Sequence, residues 1–308
     1  MKTIIIGAGS MGCYFAANMQ DAGAEVGLYD IDGKKLEKIA ENGIVIRETD
    51  GDSRRVMVPV YPSLEDAPTA DLLIVLVKAY HTARAARDIA QTMTAKTMVI
   101  SLQNGLGNEE ELCSRIPKSK ICVGITYNSG YELSPGEIQH TASGLTIVAP
   151  MLKESLQQAM EQARLFNNCR LPAGATTDIE PLRWKKLIID SVINPLSAIH
   201  KLNNGALPKN PDIVRDMVEL TVEGVTVAQK AGVPLDYGEI WAAVLDACRS
   251  SAQHRSSMLN DVERGRFTEI EAINGSIVRI GEVNGVDTPA NVRTIRRVVA
   301  IQGKRDSY

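Results

Sequence analysis

KTIIIGAGSMG, residues 2–12, sets the fold class. A short apolar run ends on a GxGxxG pattern, Gly7, Gly9 and Gly12, and a helix is expected to follow through residue 22. A second apolar run at 25–29 ends on Asp30. Strand, glycine loop, helix, strand and acid within about 30 residues make a dinucleotide-binding βαβ unit. The first glycine permits a tight turn, the second lets backbone approach a pyrophosphate, and the third lets helix pack on strand. The helix start, Ser10 and Met11, then offers backbone N–H groups and a positive dipole end to the phosphates. Asp30 stands where a carboxylate accepts hydrogen bonds from an adenosine ribose, and it would repel a 2′-phosphate. The expected cofactor is therefore NAD(H) in preference to NADP(H). Asp32 is better placed than Asp30 to cap the helix expected over 33–41, which leaves Asp30 for the ribose.

Farther along, DLLIVLVKAY at 71–80 is a continuous apolar strand of the kind buried in a parallel sheet, and it ends on Lys78. A helix over 81–93 leads to a strand at 97–102, which runs into QNGLGNEEEL from Gln103. Polar residues at the carboxyl ends of parallel strands line the ligand crevice of an open α/β sheet. Lys78 and Asn104 are accordingly cofactor-binding candidates, although a loop lysine and an Asn-Gly turn are the plainer alternatives. Shorter strands are expected near 44–46, 56–58, 121–127 and 145–148, with a hairpin around Gly136 and Gly144 and a helix over 152–166. Beyond about residue 181 strand signals nearly vanish and helical periodicity takes over. The expected architecture is α/β: a Rossmann-type dinucleotide-binding domain, residues 1–174, followed by an all-helical substrate or dimerisation domain, residues 175–308, with the linker near 172–177.

Composition narrows the function. The 308 residues carry a formal net charge of −3 and a pI near 5.9, so nothing points to nucleic acid or an anionic membrane as a partner. No apolar run is long enough to span a bilayer, and the N-terminus enters a strand with no signal-peptide pattern, which leads to a cytoplasmic expectation. The five cysteines share no CxxC spacing and the four histidines no metal-ligand spacing. They read as reduced thiols and ordinary histidines, with no metal.

RWKKLIIDSVINPLSA, residues 183–198, is the unusual part of the helical half. Lys186, Asp190 and Asn194 are spaced four apart and share one helix face among leucines, isoleucines and valine. Polar groups on such a face are costly to bury unless partnered, which suggests a site. Pro195 disfavours regular helix at this point, so a kink is expected. Two other patches, RSSMLNDV from Arg255 and TEIEAINGSIV from Thr268, hold Ser257 and Glu269. On spacing alone Ser257 reads as a helix cap and Glu269 as an acid at a helix start.

Together these segments resemble the ketopantoate reductases (2-dehydropantoate 2-reductases), in order and spacing and over essentially the whole chain. The family reduces the 2-keto group of ketopantoate with a nicotinamide cofactor. The resemblance implies that Lys186 is the catalytic lysine and Glu269 an acid of the same pocket. It implies that Asn194 and Ser257 bind the small-molecule 2-keto acid substrate, with Asp190 beside them. It also implies that Gly7, Gly9 and Gly12 hold the phosphates, that Lys78 and Asn104 face the cofactor, and that the protein is a homodimer.

Two departures from the family pattern stand out. Asp30-Ile31-Asp32 replaces the basic residue that NADP-using members carry after the second strand, in keeping with NADH. Asp190 replaces an asparagine common in the family. It can pair with Lys186 one turn back, and it would repel a substrate carboxylate that came close. Two further readings stay open: an NAD-dependent D-2-hydroxyacid dehydrogenase of the same fold, and a dinucleotide-binding regulatory protein without turnover.

Overall fold

A computed structural model of the chain describes residues 1–303. The strands are β1 (Thr3–Ile6), β2 (Val26–Tyr29), β3 (Ile44–Arg47), β4 (Ser53–Val56), β5 (Val60–Tyr61), β6 (Leu72–Val75), β7 (Met98–Ser101), β8 (Ile121–Thr126), β9 (Ser129–Ser134), β10 (Glu137–Ala142), β11 (Thr146–Pro150) and β12 (Ala173–Ala175). The helices of the first half are α1 (Ser10–Asp21), α2 (Gly33–Asn42), α3 (Thr82–Thr92), α4 (Asn108–Cys113) and α5 (Leu156–Asn168). Those of the second half are α6 (Glu180–His200), α7 (Pro211–Lys230), α8 (Tyr237–Ser250), α9 (Ser257–Glu263), α10 (Ile270–Val283) and α11 (Pro289–Val299).

Eight strands form the main sheet in the order β12-β11-β8-β7-β6-β1-β2-β5, parallel throughout except for the antiparallel β11–β8 pair. β1, β2, β6 and β7 are apolar and almost wholly buried, because helices cover both faces of a parallel sheet. The chain leaves β1 toward β2 on one side and returns as β6 on the other. The strand order therefore reverses at β1, and the crevice of such a sheet opens at the carboxyl ends of β1 and β6. The expected hairpin around Gly136 exists as β9–β10. It joins β3 and β4 in a separate four-stranded sheet, β4-β3-β10-β9, that packs on α1. Tyr14 of α1 stacks on His140 of β10 with ring centroids 4.4 Å apart.

The chain divides into two compact units. Met1–Gln103 with Asn108–Ile179 make the first; Asn104–Gly107 with residues from Glu180 onward make the second. This division differs from the expected limit at 174/175 in two ways. The segment read as a linker contains β12, which pairs with β11 and so belongs to the sheet. The short Asn104–Gly107 loop packs with the helices and not with the strand that precedes it.

In the second unit α6 is the hub, with α7, α8, α9, α10 and α11 all packed against it. Its Trp184, Leu187, Ile188, Val192, Ile193 and Leu196 are buried in the helical core. α6 runs through Pro195 to His200. Proline removes the N–H that would bond the carbonyl four residues back, here that of Ser191. Asn274 of α10 replaces it: its Nδ2 donates to the Ser191 carbonyl at 2.9 Å.

Candidate active site

The glycine loop has the shape its spacing predicts. Gly7 has φ +112°, and a Cβ there would lie 2.8 Å from the Val77 nitrogen, against the chain leaving β6. A Cβ on Gly12 would lie 1.8 Å from the Gly7 carbonyl oxygen, so α1 packs on the loop only without one. Gly9 differs: a Cβ there meets nothing within 4 Å. Gly9 is also the N-cap of α1, with no side chain capping the first turn. The first N–H groups of a helix lack partners within it, so those of Ser10 and Met11 are presented to an anion. Open space over Gly9 and an uncapped helix start suit the phosphates of a dinucleotide.

Asp30 lies just beyond β2. Its Oδ2 accepts from the Ala8 N–H at 2.5 Å and its Oδ1 from the Asp32 N–H at 2.9 Å. Each carboxylate oxygen accepts more than one hydrogen bond, so the side chain can brace the loop and still receive ribose hydroxyls. Asp32 caps α2, accepting from the Lys35 N–H at 3.0 Å, as its position suggests. Lys78 lies in the turn after β6, close in sequence to the Val77 that touches Gly7. The strand itself ends at Val75, short of the expected Lys78.

In the helical unit, Lys186 lies in the second turn of α6. Its Nζ donates to Asp190 Oδ2 at 2.6 Å and to Asn104 Oδ1 at 2.8 Å. A lysine ammonium has three N–H bonds, so this arrangement leaves one for a third oxygen. About a fifth of each side chain is exposed, 20% for Lys186 and 21% for Asp190, so a small molecule can reach them. Lys185, one residue away, makes none of these contacts.

Asn104 is brought there by its loop. Gly105 has φ +84°, a conformation L residues avoid. A Cβ on it would lie 2.2 Å from the Ala272 carbonyl oxygen, and the Leu106 N–H donates to the same oxygen at 3.2 Å. The Asn-Gly turn of the sequence is thus clamped onto α10.

Asn194 is buried one turn beyond Asp190, and its carbonyl accepts from Ser256 Oγ at 3.1 Å. Ser256 also accepts from the Leu259 N–H at 3.0 Å. The capping role that spacing assigned to Ser257 therefore belongs to Ser256. Ser257 is left exposed at the start of α9, next to the helix contact with Asn194. Glu269 is buried immediately before α10, one turn from the Ala272 that holds the Asn104 loop.

The pattern described as ketopantoate reductase PanE/ApbA matches residues 3–153, and its C-terminal counterpart matches residues 178–302. A 2-dehydropantoate 2-reductase of Archaeoglobus fulgidus is 33% identical over 96% of this chain and 95% of its own length. The chain belongs to the ketopantoate reductase family. It is thus an NAD(P)-dependent oxidoreductase. Among solved structures, a ketopantoate reductase of this family from Ralstonia eutropha shares 27% identity at a TM-score of 0.88, with 98% of each chain covered. A D-mandelate dehydrogenase solved with NADH and anilino(oxo)acetate shares 27% identity at a TM-score of 0.93, covering 97% of this chain and 98% of that one.

Three residues that support the arrangement around Lys186 and the end of β6 are not legible from spacing alone. Gly105 reads as a plain turn until Ala272 is seen beside it. Asn274 reads as one more helical residue, although a proline inside a helix does announce that the carbonyl four back needs a donor. Gln103 reads as one more polar residue after a strand. Its Nε2 donates to the Val77 carbonyl at 3.0 Å and to Thr82 Oγ1 at 2.8 Å, tying the ends of β6 and β7 together. Among the described residues, no cluster of histidine, cysteine and acids could hold a metal ion, and no helix is long and apolar enough to cross a membrane.

Proposed function

We propose that this chain reduces the 2-keto group of ketopantoate to the 2-hydroxy acid pantoate, with NADH preferred and Lys186 as the general acid. The observation that carries the reading is the Lys186 ammonium, held on a buried helix by Asp190 at 2.6 Å and Asn104 at 2.8 Å. When bound, the reduced nicotinamide supplies a hydride to the 2-keto carbon. Charge then grows on the keto oxygen, and the third N–H of Lys186 is the donor that stabilises it and hands over a proton. General-acid catalysis of this kind contributes roughly 10²- to 10⁴-fold. Lys186 regains its proton from solvent, to which part of its side chain is open. Asn194 and Ser257 bind the substrate's polar groups, and Glu269 completes the pocket. The preference for NADH is supported by Asp30, whose carboxylate suits a ribose hydroxyl and opposes a 2′-phosphate.

Turnover of a panel of 2-keto acids with NADH and NADPH tests this. Ketopantoate with NADH should give the highest kcat/KM, and no turnover of ketopantoate with either cofactor would remove the reading. A second reading, an NAD-dependent D-2-hydroxyacid dehydrogenase, is favoured by the likeness to the D-mandelate dehydrogenase and by Asp190. Branched or aromatic 2-keto acids would then outrun ketopantoate in the same panel.

A further inference from the structure

The first turn of α2 holds a partly buried cation that the site described above does not use. Lys35 Nζ lies 3.0 Å from Glu132 Oε1, with 16% of the lysine side chain and 5% of the glutamate side chain exposed. Glu132 comes from β9, an edge strand of the small sheet. The same ammonium feels the charge of Asp30 and neighbours Cys13 in the first turn of α1. Burial works against the charged lysine, but Glu132 and Asp30 outweigh it, and Lys35 holds its proton more tightly than an ordinary lysine.

A lysine beside the ribose-binding acid is what a 2′-phosphate seeks, since phosphate recognition rests on charge-assisted hydrogen bonds. Here that lysine is engaged elsewhere. We propose that Glu132 sets the cofactor preference by sequestering Lys35. This rests on the reading of Asp30 as the ribose-binding acid. With Glu132 present, Asp30, Lys35 and Glu132 sum to a net charge of −1 and oppose a 2′-phosphate. With Glu132 neutral the three sum to zero, and Lys35 is released toward Asp30. Glu132 acts through Lys35 and is a positioning residue; no contact with the cofactor is required of it. The small sheet thereby acquires a task beyond covering α1: one of its strands tunes the adenosine end of the site.

The test is Glu132→Gln, which keeps shape and removes charge, in the full-length chain. Calorimetric titration with 5′-AMP and with adenosine 2′,5′-bisphosphate isolates the 2′-phosphate, because the two probes differ in nothing else. The ratio of their Kd values should move about tenfold toward the bisphosphate, the effect of one partly screened charge. Added salt should shrink the gain. Lys35→Met combined with Glu132→Gln should return the ratio to that of wild type, and kcat/KM for NADPH over NADH should follow the same order across the three proteins. An unchanged ratio in a Glu132→Gln protein of normal Tm overturns the proposal. So does an equal gain in the double variant, since the lysine would then not be the agent. If Glu132→Gln does not fold, Glu132→Asp, which withdraws the carboxylate by one methylene, should move the ratio in the same direction, and no movement overturns the proposal there. Wild type binding the bisphosphate more tightly than 5′-AMP would overturn the reading of Asp30 instead, because the proposal concerns the change when Glu132 is altered.

Discussion

Lys186 and Asn104, 82 positions apart in the chain, meet with Nζ 2.8 Å from Oδ1. The contact takes a residue from the end of the β7 segment into the helical unit and fixes one of the three N–H directions of the ammonium. Asp190 fixes a second. An ammonium held this way would lose little freedom on meeting a substrate oxygen, which is how positioning lowers a barrier.

Replacing Lys186 by alanine should lower kcat at least about a hundredfold, the lower end of what a general acid contributes. Lys185→Ala is the control, because Lys185 makes none of the Lys186 contacts and shares its helix and charge. Steady-state kinetics on the two variants checks this. Equal losses would take Lys186 out of the chemistry.

Asn104→Ala removes one anchor and leaves the lysine in place. The loss of one hydrogen bond to a charged group should lower kcat by about tenfold. Gly105→Ala should act the same way without touching a polar atom, since its Cβ would drive the loop off Ala272. If kcat survives in Gly105→Ala while Tm falls, the loop serves stability and not the position of Lys186.

Asp190→Asn keeps a hydrogen-bond acceptor for Lys186 and removes a negative charge from the helix face where the proposed 2-keto acid would bind. KM for the 2-keto acid should fall, most at low ionic strength, where charge repulsion is least screened. A KM that is indifferent to both substitution and salt would mean that the substrate carboxylate does not approach Asp190.

Much of this was legible in the sequence because it is local. GAGSMG after a strand, with an acid at the end of the next strand, dictates its own geometry, and Gly7, Gly12 and the Asp32 cap lie where spacing puts them. The four-residue spacing of Lys186 and Asp190 likewise fixed their pairing. What spacing could not reach was contact between distant segments. Ser256 and Ser257 are indistinguishable in sequence, and only the Leu259 N–H, which donates to Ser256 Oγ, decides which one is the cap. The small sheet brings together strands from before β5 and after β8, so neither half reveals it. β12 is three residues of Ala-Gly-Ala, which read as linker because small residues carry no strand signal.

The helix through Pro195 yields a stability prediction. Asn274 is fully buried and supplies the donor that Pro195 withholds from the Ser191 carbonyl, and it also donates to Asn291 Oδ1 at 2.9 Å. Asn274→Ala should destabilise the fold by about 1–3 kcal/mol, the penalty for a buried acceptor left without a partner. Pro195→Ala restores a backbone N–H within reach of Ser191, so Asn274→Ala should do less harm in that background. Chemical denaturation of the four proteins in a double-mutant cycle measures the coupling. Additive losses would mean that the two residues do not share the Ser191 carbonyl.

Alkaline pH should unfold the protein through its buried thiols. Burial pushes Cys13 and Cys122 from an ordinary 9.0 to about 12, and Cys248 to about 11. Each folded value lies above the unfolded one, so the stabilisation is complete below pH 9 and is lost as pH climbs toward 11 to 12, because the unfolded chain ionises its thiols first. Urea midpoints should hold steady from pH 7 to 8 and fall steeply above 9. Cys248→Ala should soften that slope by the share of one thiol, whatever its effect at neutral pH. A slope unchanged in Cys248→Ala would assign the alkaline transition to other groups, such as Tyr29, which burial and Asp88 also push up.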